Sequence, residues 1–286
     1  MILVTAAYGK VAGYMIPQLL ENGLEIRALD INPDVVKLKE IGVKETVCVD
    51  ITSSGKLKEA MDGCRKILYI PPLALYTETK MAEITIDAAV QCNIEQFVMM
   101  SVTHPQMSTL LQHTMKLKAE EYLIYTGLSK GLNYTILQPM HYNHNFNVKM
   151  VMETGVYQPF YDINTRLSTV DCSDVGRVCA KILTEENHRN ATYELCGNDY
   201  LSPVELVNIF NDVTGSSAKA EEIDVEELCD IAHITDSYGR ECMRALSYTY
   251  GTYGIAGNGN VLEWLLGRKP TTFREFVECE LMRITG

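Results

Sequence analysis

Nothing in these 286 residues is composed for a membrane, a metal or a polyanion. No uninterrupted apolar stretch reaches 18 residues, so no helical membrane span is expected. No CxxC and no HExxH occurs, so no metal centre is expected. The nine cysteines are odd in number, and a disulfide framework would be out of place in a chain this long. They read as free thiols, with Cys48 and Cys196 in apolar runs as small core hydrophobes. Basic side chains are scarce, 25 against 37 acidic, for a net charge of -12. A surface that tracks phosphates needs clustered Lys and Arg, so direct nucleic-acid contact is not expected. The first ten residues lack the leading positive charge of a signal peptide, which points to the cytoplasm. What is present is an ordinary globular share of apolar residues, 47%. At roughly 100–200 residues per domain, the length suits one large domain or two lobes.

Short apolar runs alternate with helical patterns through the first half. Strands are expected at Ile2–Thr5, Glu25–Asp30, Thr46–Asp50, Lys66–Ile70, Gln96–Ser101 and Tyr134–Leu137. Between them lie a helix ending at Asn22-Gly23, a short one over Pro33–Ile41 closed by Gly42, and others at Gly55–Met61, Tyr76–Cys92 and about Lys116–Tyr125, the last leading out through Gly127. Buried strands each followed by a helix imply an α/β fold, a doubly wound parallel sheet of Rossmann type. Later come a helix at Ser173–Leu183, a strand at Thr192–Leu195 and an N-cap signature at Ser202-Pro203 with Glu205. The remainder reads as acidic helix, then a Gly/Tyr-rich stretch from Tyr248 to Asn260, then helix around Trp264. The expected layout is a nucleotide lobe over 1–145, to which 168–197 returns. A smaller, discontinuous α+β lobe over 146–167 and 198–286 would bind substrate or act as a lid.

The first strand and helix are joined by Thr5-Ala6-Ala7-Tyr8-Gly9-Lys10-Val11-Ala12-Gly13. A dinucleotide pyrophosphate binds in such a turn, against backbone N–H groups and the positive end of the helix. Three glycines usually serve it; here only Gly9 matches, alanines stand at the first and third places, and Gly13 is one residue out of register. Alanine at the first place is costly if that residue needs a positive φ. Tyr8 adds a large ring beside the expected phosphate path. Asp30, ending the second strand, either binds the adenosine ribose 2′-hydroxyl, which favours NAD over NADP, or caps the turn Asn32-Pro33-Asp34. Asp50 either faces the adenine or ends its strand in a plain turn.

The segments Ile2-Leu3-Val4-Thr5-x-Ala7-x-Gly9-Lys10-Val11, Tyr134–Pro139 with Asn145, and Val170–Val175 together resemble the NmrA-like family of atypical short-chain dehydrogenase/reductases. Glu263–Arg268 with Pro270–Phe273 is similar too, and the likeness runs almost end to end. The resemblance implies a Rossmann lobe, a nicotinamide dinucleotide and a substrate cleft between lobes. Members include quinone, imine and ketone reductases, and redox-sensing regulators that bind the cofactor without turning it over. Ordinary short-chain reductases activate a Tyr through a Lys four residues later. Here Lys116 matches the lysine, as a nicotinamide-ribose ligand or a bare surface residue, and Gln112 stands where the Tyr would.

On this reading the cofactor is held by Ala6, Tyr8, Gly9, Lys10, Val11 and Asp30, with Asp50, Pro71, Ser101 and Lys116 completing the seat. His141 or Tyr142 supplies a proton, with Lys116 assisting, since imidazole titrates near physiological pH. Substrate meets Ser101, His141, Asn145, Tyr157 and Tyr161; each of these reads equally as a loop or core-packing residue. The expected activity is hydride transfer from NAD or NADP to a small electrophile such as a quinone, imine or enone. A degenerate cofactor loop keeps a second reading open: a dinucleotide-sensing regulator, or a repurposed isomerase or cyclase. The partner is a small molecule, and a homodimer is the assembly left open.

Overall fold

The structure, a computed structural model, describes residues 1–72 and 76–285. In chain order the elements are β1 (Ile2–Val4), α1 (Lys10–Glu21), β2 (Ile26–Asp30), a 3-10 helix (Pro33–Ile41), β3 (Glu45–Cys48), α2 (Ser54–Met61), β4 (Lys66–Tyr69) and α3 (Glu78–Gln91). There follow β5 (Gln96–Met100), α4 (Leu111–Lys130), β6 (Tyr134–Pro139), β7 (His141–Tyr142), a 3-10 turn (Asn143–Asn145), α5 (Val148–Thr154), β8 (Val156–Tyr157) and β9 (Leu167–Val170). The chain closes with α6 (Cys172–Thr184), β10 (Ala191–Leu195), β11 (Tyr200–Leu201), α7 (Pro203–Thr214), β12 (Lys219–Ala220), α8 (Val225–Ile231), α9 (Ser237–Tyr253), α10 (Asn260–Leu266) and α11 (Phe273–Thr285).

A seven-stranded sheet carries the order β10-β6-β5-β4-β1-β2-β3. The registered pairings from β3 across to β6 are all parallel. The order reverses between β1 and β4, which is where open α/β sheets bind ligands, beyond the carboxyl ends of the strands. The doubly wound fold is therefore as the alternating pattern implied. β1 and β5 are buried along their whole length, as strands covered on both faces must be. Helix α1 buries Ala12, Met15, Ile16 and Leu19, one stripe at helical spacing, even with Pro17 inside it. Gly176 lets α6 approach closely, since a Cβ there would lie 2.9 Å from the Met15 Cα.

The residues fall into two compact units: 1–107, 112–138 and 175–193 form one, and 108–111, 139–174 and 194–286 the other. The first is centred on Leu3, Leu57, Tyr69, Phe97, Leu123 and Ile136. The second has its own aromatic core, in which Phe146 packs on Tyr157, Phe210 and Phe273. There Ser202 and Glu205 form the expected reciprocal cap of α7: Glu205 N donates to Ser202 Oγ at 3.3 Å and Ser202 N to Glu205 Oε2 at 2.8 Å.

Three local expectations are corrected. Helix α4 does not end at Gly127 but runs to Lys130, and Gly131 closes it at φ 75°. Gly127 is interior because a Cβ would stand 2.7 Å from the Tyr134 ring, so it marks close packing, not a stop. The Tyr248–Asn260 stretch is helical as far as Tyr253, with Gly251 lying against the backbone at Asp162. Cys48 is exposed rather than core, because β3 is the edge strand of the large sheet; Cys196 is buried as expected.

Candidate functional site

The turn after β1 lies at the point where the sheet reverses. Thr5 bridges the two central strands there, its hydroxyl donating to the Ile70 carbonyl at 3.0 Å and accepting from the Ile70 N–H at 2.9 Å. Ala6 follows at φ 47°. The turn does demand a left-handed residue, and alanine supplies it at a cost of roughly 1–2 kcal/mol of strain. The loop then closes on itself: Ala7 N donates to Leu29 O, and Gly9 N to Ala6 O at 3.1 Å. A Cβ on Gly9 would sit 3.1 Å from the Ala6 carbonyl, so glycine fits this place without displacing that carbonyl. Ala12 is fully buried at the third place, while Gly13 faces open space and takes no part. Helix α1 opens at Lys10 with no side chain capping it. A left-handed turn, a tight glycine and an uncapped helix end, with exposed Lys10 and half-buried Val11 in its first turn, fit a pyrophosphate.

Asp30 serves both the loop and its own turn. Its Oδ2 accepts from Tyr8 N and its Oδ1 from Asn32 N, each at 2.9 Å. Tyr8 lies half-buried within electrostatic reach of Lys37 on the first 3-10 helix. Lys37 is paired with Asp34 at 2.8 Å, and Ile31 between them and Asp30 is 68% exposed. Asp50 is exposed, and its Oδ1 accepts from both the N–H and the hydroxyl of Thr52 at 2.8 Å, so it caps the turn after β3. Those bonds hold its carboxyl below the ordinary range. Pro71 is half-buried just beyond β4.

Beyond the ends of β4, β5 and β6 the inner face of α4 carries polar side chains. Gln112, His113, Lys116 and Glu120 are all buried. Lys116 is no surface lysine; it forms a buried ion pair with Glu78 of α3. Burial pushes the Glu78 carboxyl up, and the Lys116 ammonium opposes that push. Among the described residues, the second Glu78 oxygen and the Tyr69 hydroxyl are buried without a hydrogen-bond partner, as is Gln112 Oε1. His113 Nδ1 faces the His104 carbonyl at 3.2 Å, and burial holds the imidazole down at about 4, neutral at pH 7. Ser101, at the end of β5, donates to Glu120 Oε1, and Gln138 Nε2 lies 3.0 Å from both Glu120 oxygens. Burial pushes the Glu120 carboxyl up, against the hydrogen bonds from Ser101 and Gln138.

The remaining candidates belong to the second unit. Asn145 Nδ2 lies 3.1 Å from His141 Nε2, and the His141 ring meets Tyr250 edge-on at 5.6 Å. Burial in that packing brings His141 to about 4. At that value the ring is neutral at pH 7. Tyr142 is half-buried at the end of β7. Tyr157 and Tyr161 are buried, the first in the Phe146 core and the second against Phe160 and Tyr250. Both pack as core aromatics. No cluster able to hold a metal occurs among the described residues.

Ala6 through Asp30, Ser101 and Lys116 are thus gathered in one unit, and His141, Asn145, Tyr157 and Tyr161 in the other. Sequence reading missed Glu78, Glu120 and Gln138. The available signal was Lys116 and Glu120 four apart, which on a helix reads just as well as a solvated ion pair.

The family model for NmrA-like proteins matches residues 1–280. The chain belongs to the NmrA-like family. It is 22% identical over 289 residues to quinone oxidoreductase 2 of Escherichia coli strain K12, covering 97% of each chain. Among solved structures, this NmrA-like chain is similar to an NADPH-dependent quinone oxidoreductase from Escherichia coli complexed with NADPH. That likeness has a TM-score of 0.80 at 20% identity, over 98% of this chain and 100% of the other. A Citrobacter sp. triphenylmethane reductase complexed with NADP(H) is similar at TM-score 0.80 and 21% identity, over 97% and 99% of the two chains. No helix among the described residues is long and apolar enough to cross a membrane.

Proposed function

We propose that the protein is a nicotinamide-dependent reductase that transfers hydride to a small electrophile such as a quinone, imine or enone. The observation that carries this reading is the turn at Ala6. It keeps a left-handed residue, a tight glycine and an uncapped helix at the sheet's reversal point, although two of three glycines are gone. Family membership and the reductases among the similar proteins support it. The N–H groups at the start of α1 would face the pyrophosphate, with Lys10 adding a positive charge. When bound, the cofactor supplies the hydride. Ser101, at a strand end, orients the reacting group, and Lys116 is held in place by Glu78 one helix away.

NADH is the preferred form. Asp30 would repel a 2′-phosphate, Ile31 offers no charge, and Lys37 is tied to Asp34. Titration followed by nicotinamide fluorescence tests both statements. NADH is expected to bind about tenfold tighter than NADPH. Binding of neither at millimolar concentration overturns the reading. The second reading, a cofactor sensor, draws on Gln112 in place of the usual tyrosine. Tight binding without oxidation across a quinone and imine panel would favour it.

A further inference from the structure

The tyrosine acid of ordinary short-chain reductases is absent from this chain, where Gln112 takes its place, and His141 is held neutral. A reductase still needs a proton for the atom left electron-rich by hydride transfer. One group at the strand ends is placed to provide it. Glu120 is 5% exposed, and its only hydrogen-bond partners among the described residues are the Ser101 hydroxyl and the Gln138 amide. Among the described residues no cation pairs with the carboxyl: Lys116, one turn earlier on α4, is bound to Glu78 from α3, and the ends of β5 and β6 bring Ser101 and Gln138. A buried carboxyl without a counter-ion is far costlier charged than protonated. We infer, resting on the reductase reading above, that Glu120 is the proton source of the reaction and delivers its proton through the Ser101 hydroxyl.

The geometry suits both protonation states. With the proton on Oε1, Glu120 donates to Ser101 Oγ along the observed contact, and Oε2 accepts from Gln138. Ser101 then turns its own O–H away from α4, toward the carboxyl edge of the sheet. As hydride reaches the electrophilic carbon, the substrate's C=O or C=N π bond breaks onto its heteroatom. That atom takes the Ser101 proton, and Ser101 takes the Glu120 proton. The dihydronicotinamide is oxidised by two electrons, the substrate is reduced by the same two, and Glu120 is left as a carboxylate. Water returns its proton after product leaves. Because Glu120 acts through Ser101, it is a positioning and supply residue, and Ser101 is the group that touches substrate.

Glu120→Gln is the informative variant, since an amide can donate to Ser101 and accept from Gln138 but cannot supply a proton. The wild type is expected to show a carboxylic-acid carbonyl band in the infrared at neutral pH that disappears in E120Q. With NADH and a quinone or imine substrate, kcat should fall about 100-fold with KM little changed. The alkaline limb of the wild-type pH profile should vanish as well. Ser101→Ala should lower kcat to a similar degree, and the double variant no further, which tests the relay even if E120Q folds poorly. Glu121→Gln, on the exposed side of the helix, should leave all of these unchanged. An ionised Glu120 at neutral pH, or an E120Q enzyme within about twofold of wild-type kcat, overturns the proposal while cofactor binding stays intact. Absence of nicotinamide binding by the wild type is the separate failure of the reductase reading, and it removes this proposal with it.

Discussion

The β1–α1 turn and the polar face of α4 belong to the same unit and are held together in opposite ways. The turn is made of backbone: one left-handed residue, one glycine contact and N–H groups that find Leu29 O, Asp30 and Ala6 O. The α4 face is made of buried side chains whose partners come from α3, β5 and β6. A backbone device tolerates a change of residue as long as the torsions survive, and Ala6 illustrates this. A buried polar network tolerates little, because each lost partner leaves a desolvated group behind.

The sharpest way to break that contrast is Lys116→Met. It strands Glu78 in the interior and is expected to cost about 3–5 kcal/mol in urea unfolding. A cost under about 1 kcal/mol would mean the pair is solvated and the contrast is false. Next comes His113, whose folded value of about 4 lies below the ordinary 6.5. The native state then binds fewer protons, so its contribution is complete above pH 6.5 and is lost as pH falls through about 4. The wild type should lose on the order of 2–3 kcal/mol across that window relative to His113→Asn, read as urea midpoints at several pH values. Parallel curves for the two proteins would remove the histidine from the network.

Smaller effects are expected in the turn. Gly9→Val pushes a side chain toward the Ala6 carbonyl and should weaken NADH binding about tenfold, or about 1.4 kcal/mol, with the fold intact. Ala6→Gly should relieve the left-handed strain and raise stability by up to about 1 kcal/mol, after the entropy of the added glycine is subtracted. A destabilised A6G would mean the turn is not limited by that torsion.

The same contrast explains what could be read from the amino-acid sequence. Features set by neighbours in the chain were legible: the strand–helix alternation, the left-handed stops at Gly23 and Gly42, and the Ser202–Glu205 cap. Gly127 and the helical Tyr248–Tyr253 segment were not, because distant packing at Tyr134 and Asp162 decides them. The turn between β1 and α1 was legible as a strand–helix junction, but whether Ala6 could take its torsion had to be seen. Lys116 was singled out without its partner, since Glu78 lies 38 residues away on another helix. Glu120 was invisible for the same reason: its inward direction depends on which face of α4 meets the sheet.

The torsion of Ala6 also bears on how such chains diverge. Codons for glycine and alanine differ by one base, so this turn can drift between the two in a single mutational step and return as easily. Valine is equally close in the genetic code, yet a β-branched side chain at φ 47° is a true outlier and closes that route. A pattern spelled in glycines therefore loses sight of such a turn at the first tolerated step. One spelled in handedness, admitting either small residue at this place, would keep following it.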